Sequence, residues 1–146
     1  MLVKDCLARK DHSLITVGPE VPVPQAMKLL ISNRISCLPV LSGESRLIGI
    51  ISDKDIFTHA FHDPAGFTNA TVGDLMTTDL IVGVADDSVD YIGSVMTKNR
   101  IRHVPIVEND RLIGLLSIGD VVKSQLSNME VENRYLRQYI GDKYPG

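Results

Sequence analysis

Arg46-Leu-Ile-Gly-Ile-Ile-Ser-Asp-Lys-Asp55 is the stretch on which the fold turns, because it returns 65 residues later as Arg111-Leu-Ile-Gly-Leu-Leu-Ser-Ile-Gly-Asp120. Six of the ten positions are identical and two more exchange Ile for Leu. Upstream, Asn33-Arg34-Ile35 and Pro39 match Asn99-Arg100-Ile101 and Pro105 at a spacing of 66. The difference of one puts a single extra residue in the turn near Ser45. Repetition at this length implies two copies of one folding unit, packed together because neither buries its apolar face alone. Two like units create a pseudo-twofold axis, and the clefts beside it are natural ligand sites.

Each copy shows the same order of elements. Leu14-Ile-Thr-Val17 and Leu80-Ile-Val82 read as short β-branched strands, followed by the turn-like Gly18-Pro-Glu-Val-Pro22 and Gly83-Val-Ala-Asp-Asp-Ser88. Apolar residues at helical spacing come next: Ala26, Met27, Leu29 and Leu30 in one copy, Tyr91, Ile92, Val95 and Met96 in the other. Pro24 suits a first helical turn, and Asp87 or Ser88 an N-cap. Buried strands follow at 35–41 and 101–107. Ser42-Gly-Glu-Ser45 and Glu108-Asn-Asp110 have hairpin composition before the second strands, 47–51 and 112–116. Those strands run into Ser52 and Ser117, with Asp55 and Asp120 three residues on at the spacing of a capping box. Pro64 and Gly66 mark a linker over 63–70. Val3-Lys-Asp-Cys-Leu7 and Thr71-Val-Gly-Asp-Leu-Met76 give both halves a similar helical lead-in.

The chain has 146 residues and 44% hydrophobic content, enough for one compact domain or two half-domains sharing an interface. A formal charge of -3 and a pI of about 5.7 lack the basic excess of a nucleic-acid groove, so no nucleic-acid partner is expected. No apolar run approaches the roughly 18 residues of a membrane span. The opening Met1-Leu-Val-Lys-Asp-Cys lacks an apolar signal core, giving a cytoplasmic reading that leaves room for an organelle reached after loss of a targeting peptide. Cys37 lies in an apolar strand and reads as a small buried filler.

The duplicated pattern resembles a tandem of CBS domains (the module named after cystathionine β-synthase), together called a Bateman module. The signature is strand, helix, apolar-x-x-Pro, then Leu-Ile-Gly-apolar-apolar-Ser-x-x-Asp, and it covers roughly residues 3 to 126. The resemblance implies an α/β (α+β) fold of two pseudo-twofold-related β-α-β-β-α repeats, their sheets packed face to face. On this reading 1–62 and 71–126 are the repeats, and 127–146 is a C-terminal helical extension. It also implies a regulatory module rather than an enzyme. Such a module binds AMP, ADP, ATP, NAD(H) or S-adenosylmethionine between the repeats, acts as a homodimer and serves a regulated protein that the sequence leaves unnamed.

The chemistry of such a ligand selects the candidate residues. A ribose presents two vicinal hydroxyls that one carboxylate can accept, each charge-assisted bond contributing ~1.5–3 kcal/mol. Asp55 and Asp120 suit this role, in the first turn of predicted helices where the helix dipole favours the ionised form. Ser52 and Ser117 can offer a hydroxyl and an amide to phosphate. For a single Ser-x-x-Asp, helix capping is the simpler reading; the duplicated frame favours a site. By resemblance, Arg102 and His103, just before Val104-Pro105, approach phosphate. The matching residues before Pro39, Ser36 and Cys37, are uncharged; Lys54 can compensate in the other cleft, whereas Ile118 and Gly119 flank the second serine without charge. The two sites should therefore differ, the Arg-His site preferring more phosphate charge. Thr16 and Val82, with Ile15 and Ile81, are the adenine candidates by the same resemblance.

Other constellations are weaker. His59, His62 and Asp63 lack a fourth metal ligand, and neither a nucleophile–base arrangement nor a Gly-rich phosphate loop occurs. Val122, Leu126, Met129, Asn133, Leu136 and Ile140 form a heptad-like stripe ending at Gly141 and Pro145. It reads either as packing along its own domain or as a dimer contact in which Asn133 fixes register.

Overall fold

The computed structural model describes residues 1–10 and 14–128, and the stripe from Met129 onward lies outside them. Each copy centres on an antiparallel hairpin: β1 (Cys37–Ser42) with β2 (Arg46–Ser52), and β3 (His103–Glu108) with β4 (Arg111–Ser117). The second hairpin turns through Asn109 and Asp110, both at positive φ (53° and 65°), the backbone that matches strand twist in a two-residue hairpin. Three residues, Gly43–Ser45, make the first turn, which is where the extra residue was expected. The two hairpins meet through β2 and β4 in a single register pair, Arg46 with Arg111, giving the order β1-β2-β4-β3.

The helices are placed by their caps. α2 (Val23–Asn33) begins with Pro24 in its first turn, and α5 (Val89–Asn99) is capped by Ser88, whose Oγ accepts the Tyr91 amide at 3.0 Å. Both end on an arginine in the left-handed conformation, Arg34 at φ 54° and Arg100 at φ 55°. The Ser-x-x-Asp segments open α3 (Asp53–His62) and α6 (Ile118–Asn128). No helix among the described residues is long and apolar enough to cross a membrane.

The expected first strands contract to single parallel bridges, Val17 to Val40 and Gly83 to Ile106. Proline explains this. The Val17 amide donates to the Pro39 carbonyl (3.1 Å) and the Leu41 amide to the Val17 carbonyl (2.9 Å). Extending that parallel ladder back to Ile15 would need the Pro39 N–H, which does not exist. Pro105 stops the second ladder at Gly83 in the same way.

The lead-in helices are exchanged. α1 (Val3–Ala8) places Val3 and Cys6 in the core of the second copy, with Val89, Ile92, Met96, Val104, Ile106, Leu116 and Val121. α4 (Val72–Leu75) places Val72 and Leu75 in the first core, with Val23, Leu30, Leu38, Val40, Ile51 and others. Val3 N donates to Asp87 O and Val72 N to Val21 O, each at 2.8 Å. Val3 and Val72 are fully buried, so each is worth ~1.5–3 kcal/mol to the other half's core. The two copies are therefore interlocked.

Candidate functional site

Interlocking puts the end of one repeat's second strand beside the start of the other repeat's first. Two clefts result. The first, about 540 Å³, joins Ser52, Lys54 and Asp55 of the first repeat to Arg100, Arg102 and His103 of the second. The second, about 820 Å³, joins Ser117 and Asp120 to Arg34, Ser36 and Cys37. Sequence left open which aspartate shares a cleft with the Arg-His pair; it is Asp55, and Lys54, expected in the other cleft, lies in this one because it sits one residue before Asp55 on α3. Cys37 and His103 occupy matching positions and line both clefts, which thus meet at the pseudo-twofold axis.

Both Ser-x-x-Asp segments are true capping boxes. Asp55 Oδ2 accepts the Ser52 amide (2.9 Å) and hydroxyl (3.0 Å), and the Asp55 amide donates back to Ser52 Oγ (3.2 Å). Asp120 Oδ2 accepts the Ser117 amide (2.8 Å), and the Asp120 amide donates to Ser117 Oγ (3.1 Å). The capping reading and the cleft reading hold together: one carboxylate oxygen fixes the helix start while the group lines the cleft.

The remaining partners differ. Asp55 Oδ1 accepts Thr77 Oγ1 at 3.1 Å, whereas Asp120 Oδ2 accepts the Lys10 ammonium at 2.9 Å. Burial acts to raise the Asp120 pKa, but the Ser117 amide and the Lys10 ammonium outweigh it and hold the carboxyl below its usual value. His103 lies below the ordinary histidine value because burial and then the Arg102 charge disfavour its cation. Burial pushes the Cys37 thiol up to about 12, which makes it an inert filler. Arg102 reaches back across the first cleft, Nη2 to Asp53 Oδ1, at 3.3 Å.

Thr16, Val82, Pro39 and Pro105 line neither cleft. The two prolines are buried in β1 and β3, where they end the ladders, and Val82 is 45% exposed elsewhere. Of the adenine candidates Ile15 does line the second cleft; further apolar lining includes Ile50, Leu75 and Ile101 in the first and Leu7, Leu14 and Ile35 in the second. Arg34 and Arg100 were visible in the repeated Asn-Arg-Ile but not assigned to the clefts. His59 and His62 also line the first cleft, and no cluster of metal-ligating side chains occurs among the described residues. Lys10 had no signal, because the first lead-in is three residues longer than the second and the repeat frame fails there.

Comparison with known proteins supplies the family. The CBS domain family model matches residues 3–62 and 72–127, a non-catalytic module. The chain is 32% identical over 138 residues to the mitochondrial CBS domain-containing protein CBSX3 of Arabidopsis thaliana, covering 92% of this chain and 67% of that one. Among solved structures it is similar to CBSX2 in complex with AMP, at 27% identity and TM-score 0.77, covering 88% of this chain and 98% of that one. It is also similar to the CBS domain pair of protein MJ0100 in complex with 5′-methylthioadenosine and S-adenosyl-L-methionine, at 28% identity and TM-score 0.75, covering 88% and 98%. The interlocked duplication and these matches agree: the chain belongs to the CBS domain family and carries two such domains in tandem, a Bateman module.

Proposed function

We propose that this tandem pair is a regulatory sensor that holds an adenosine-containing ligand in the first cleft. The class comprises AMP, ADP, ATP, NAD(H) and S-adenosylmethionine. One observation carries the reading: the duplicated carboxylate of one repeat shares a cleft with the Arg-His pair of the other. Asp55 accepts the ribose diol, with the Thr77 hydroxyl swinging aside or joining in. Arg102, His103 and Lys54 meet phosphate at the amide-rich start of α3, and Ile101 lies against the adenine. The complexes of CBSX2 with AMP and of the MJ0100 pair with S-adenosyl-L-methionine support this ligand class.

Residues 1–62 and 71–126 act as the two repeats. A second copy covers the apolar face of α3, where Phe57 and Phe61 are each 77% exposed, and of α6, where Val122 and Leu126 are about half exposed. Ligand bridging the repeats alters how α3 and α6 present themselves to that copy and to a regulated protein. The shift is bounded by the ligand's difference in affinity between the two states. The unpaired Cys6 and Cys37 suit a reducing compartment such as the cytoplasm.

The competing reading, a dimerisation module with vestigial clefts, draws on the uncharged Ser36 and Cys37 of the second cleft. A thermal-shift panel of the five ligands, followed by calorimetry, separates the two. Sensing requires stabilisation by at least one of them. A stable dimer that none of them stabilises supports the competing reading.

A further inference from the structure

We infer that Lys10 is a built-in occupant of the second cleft, so that the chain takes one adenosine nucleotide, not two. The inference rests on the first cleft being the nucleotide site and goes beyond it by assigning the second.

The two halves solve the same bonding problem differently. In the first, Thr77 runs beside β2: its amide donates to the Ile50 carbonyl at 2.8 Å and its hydroxyl to Asp55 Oδ1 at 3.1 Å. The equivalent acceptors in the second half, 65 residues on, are the Leu115 carbonyl and Asp120. A single group satisfies both of them. Lys10 Nζ donates to Leu115 O at 2.7 Å and to Asp120 Oδ2 at 2.9 Å.

This replacement changes what a ligand meets. Thr77 Oγ1 can turn its hydrogen away from Asp55 and accept a bond from an incoming sugar hydroxyl. An ammonium has three donors and no acceptor, so it can donate to a sugar oxygen but accepts neither diol proton and competes with both for Asp120. The Lys10 and Asp120 side chains are only 20% and 19% exposed, so solvent screens their attraction less than at the surface. Displacing Lys10 would strand a half-buried carboxylate and the Leu115 carbonyl. Leaving it in place keeps Asp120 ion-paired at Oδ2, the oxygen that also accepts the Ser117 amide, so the sugar meets a carboxylate whose charge is already matched. Either course weakens adenosine nucleotides in the second cleft about ten- to a hundredfold relative to an unplugged one. The phosphate end compensates only in part: Arg34 and His103 line the second cleft, but Ser36 and Gly119 stand where the first cleft has Arg102 and Lys54.

Lys10 is thus a specificity-determining residue that makes two similar clefts unequal. The test is AMP titration by calorimetry of the wild-type chain, Lys10→Met and Lys10→Gln, the glutamine keeping a donor for the Leu115 carbonyl. The expected result is one AMP per wild-type chain and two per variant chain, the added site within about tenfold of the first. Adding Asp120→Ala to either variant should return the count to one, and adding Asp55→Ala should leave only the new site. Two sites within threefold of each other in the wild type, or a count of one in both lysine variants, overturns the inference while the first-cleft reading stands. If the wild type binds no AMP but the variants bind one, the first-cleft reading falls and the plug remains. Absence of binding in all three chains removes both.

Discussion

Arg102 Nη2 stands 3.3 Å from Asp53 Oδ1, an ion pair that crosses from the second repeat to the first at the edge of the first cleft. Both side chains are more than half exposed, 59% and 57%, so the pair adds little to stability. Its consequence is positional. Asp53 holds the guanidinium at the cleft and also competes with phosphate for it. Asp53→Asn should therefore tighten ATP binding by about two- to fivefold, and Arg102→Ala should weaken it about tenfold or more. Calorimetry on both variants checks the pair of outcomes, and equal weakening by both would show that Asp53 assists binding.

Acidification should act through His103. Its folded pKa lies below the usual value of about 6.5, from burial first and then from Arg102 and Lys10, with Asp53 and Asp120 opposing. The unfolded chain therefore takes up the proton first. Stability is complete above about pH 6.5 and declines as pH falls through that value towards the folded pKa. Asp120 adds a second loss at lower pH, because its depressed carboxyl contributes only while ionised, above the ordinary aspartate value near 3.8. Melting temperature should fall from pH 7 to 5 in the wild type and fall less in His103→Asn.

Bound phosphate reverses the preference of that imidazole. An anion beside His103 stabilises its cation, so ATP binding near pH 7 should take up a proton and strengthen as pH falls from 8 to 6. Calorimetry in two buffers of different ionisation enthalpy measures the uptake. His103→Asn should take up fewer protons than the wild type, which separates the histidine from the titration of ATP itself.

Arg34 and Arg100 occupy the left-handed region (φ 54° and 55°) at the ends of α2 and α5, where glycine is the usual residue. Each also lines a cleft. Arg100→Gly should stabilise the fold by about 0.5–1 kcal/mol and weaken ATP binding in the first cleft. Arg34→Gly should stabilise by a similar amount and leave that affinity unchanged. Chemical denaturation and nucleotide titration of the two variants provide the check.

The exchanged lead-in helices predict cooperative unfolding. Val3 is fully buried in the second core although it precedes the first repeat's hairpin in sequence. Val3→Ala should cost about 1.5–3 kcal/mol and lower the melting of the whole molecule in one transition. Two separated transitions would mean that the halves are not interlocked.

What was legible in the sequence is what local chemistry writes. The duplicated Leu-Ile-Gly-apolar-apolar-Ser-x-x-Asp, the one-residue difference between hairpins and the serine caps all depend on neighbours within a few residues, and all are present. The exchange of α1 and α4 depends on Val3 sharing a core with Ile92, and Val72 with Val23, residues far apart in the chain, and no spacing announces it. The pairing of Asp55 with Arg102 follows from that exchange, so it too was hidden. Pro39 and Pro105 were visible as repeated landmarks, but their effect lies in the missing N–H that stops a ladder. Lys10 falls where the two lead-ins differ in length, and only the folded chain brings it to Asp120.

The account rests on Asp55 receiving a ribose in a cleft built from both repeats. Calorimetric titration of ATP into Asp55→Ala and Asp120→Ala, beside the wild type, tests it most directly. The account predicts that Asp55→Ala loses affinity about tenfold or more while Asp120→Ala retains it. Wild-type affinity in Asp55→Ala would contradict it.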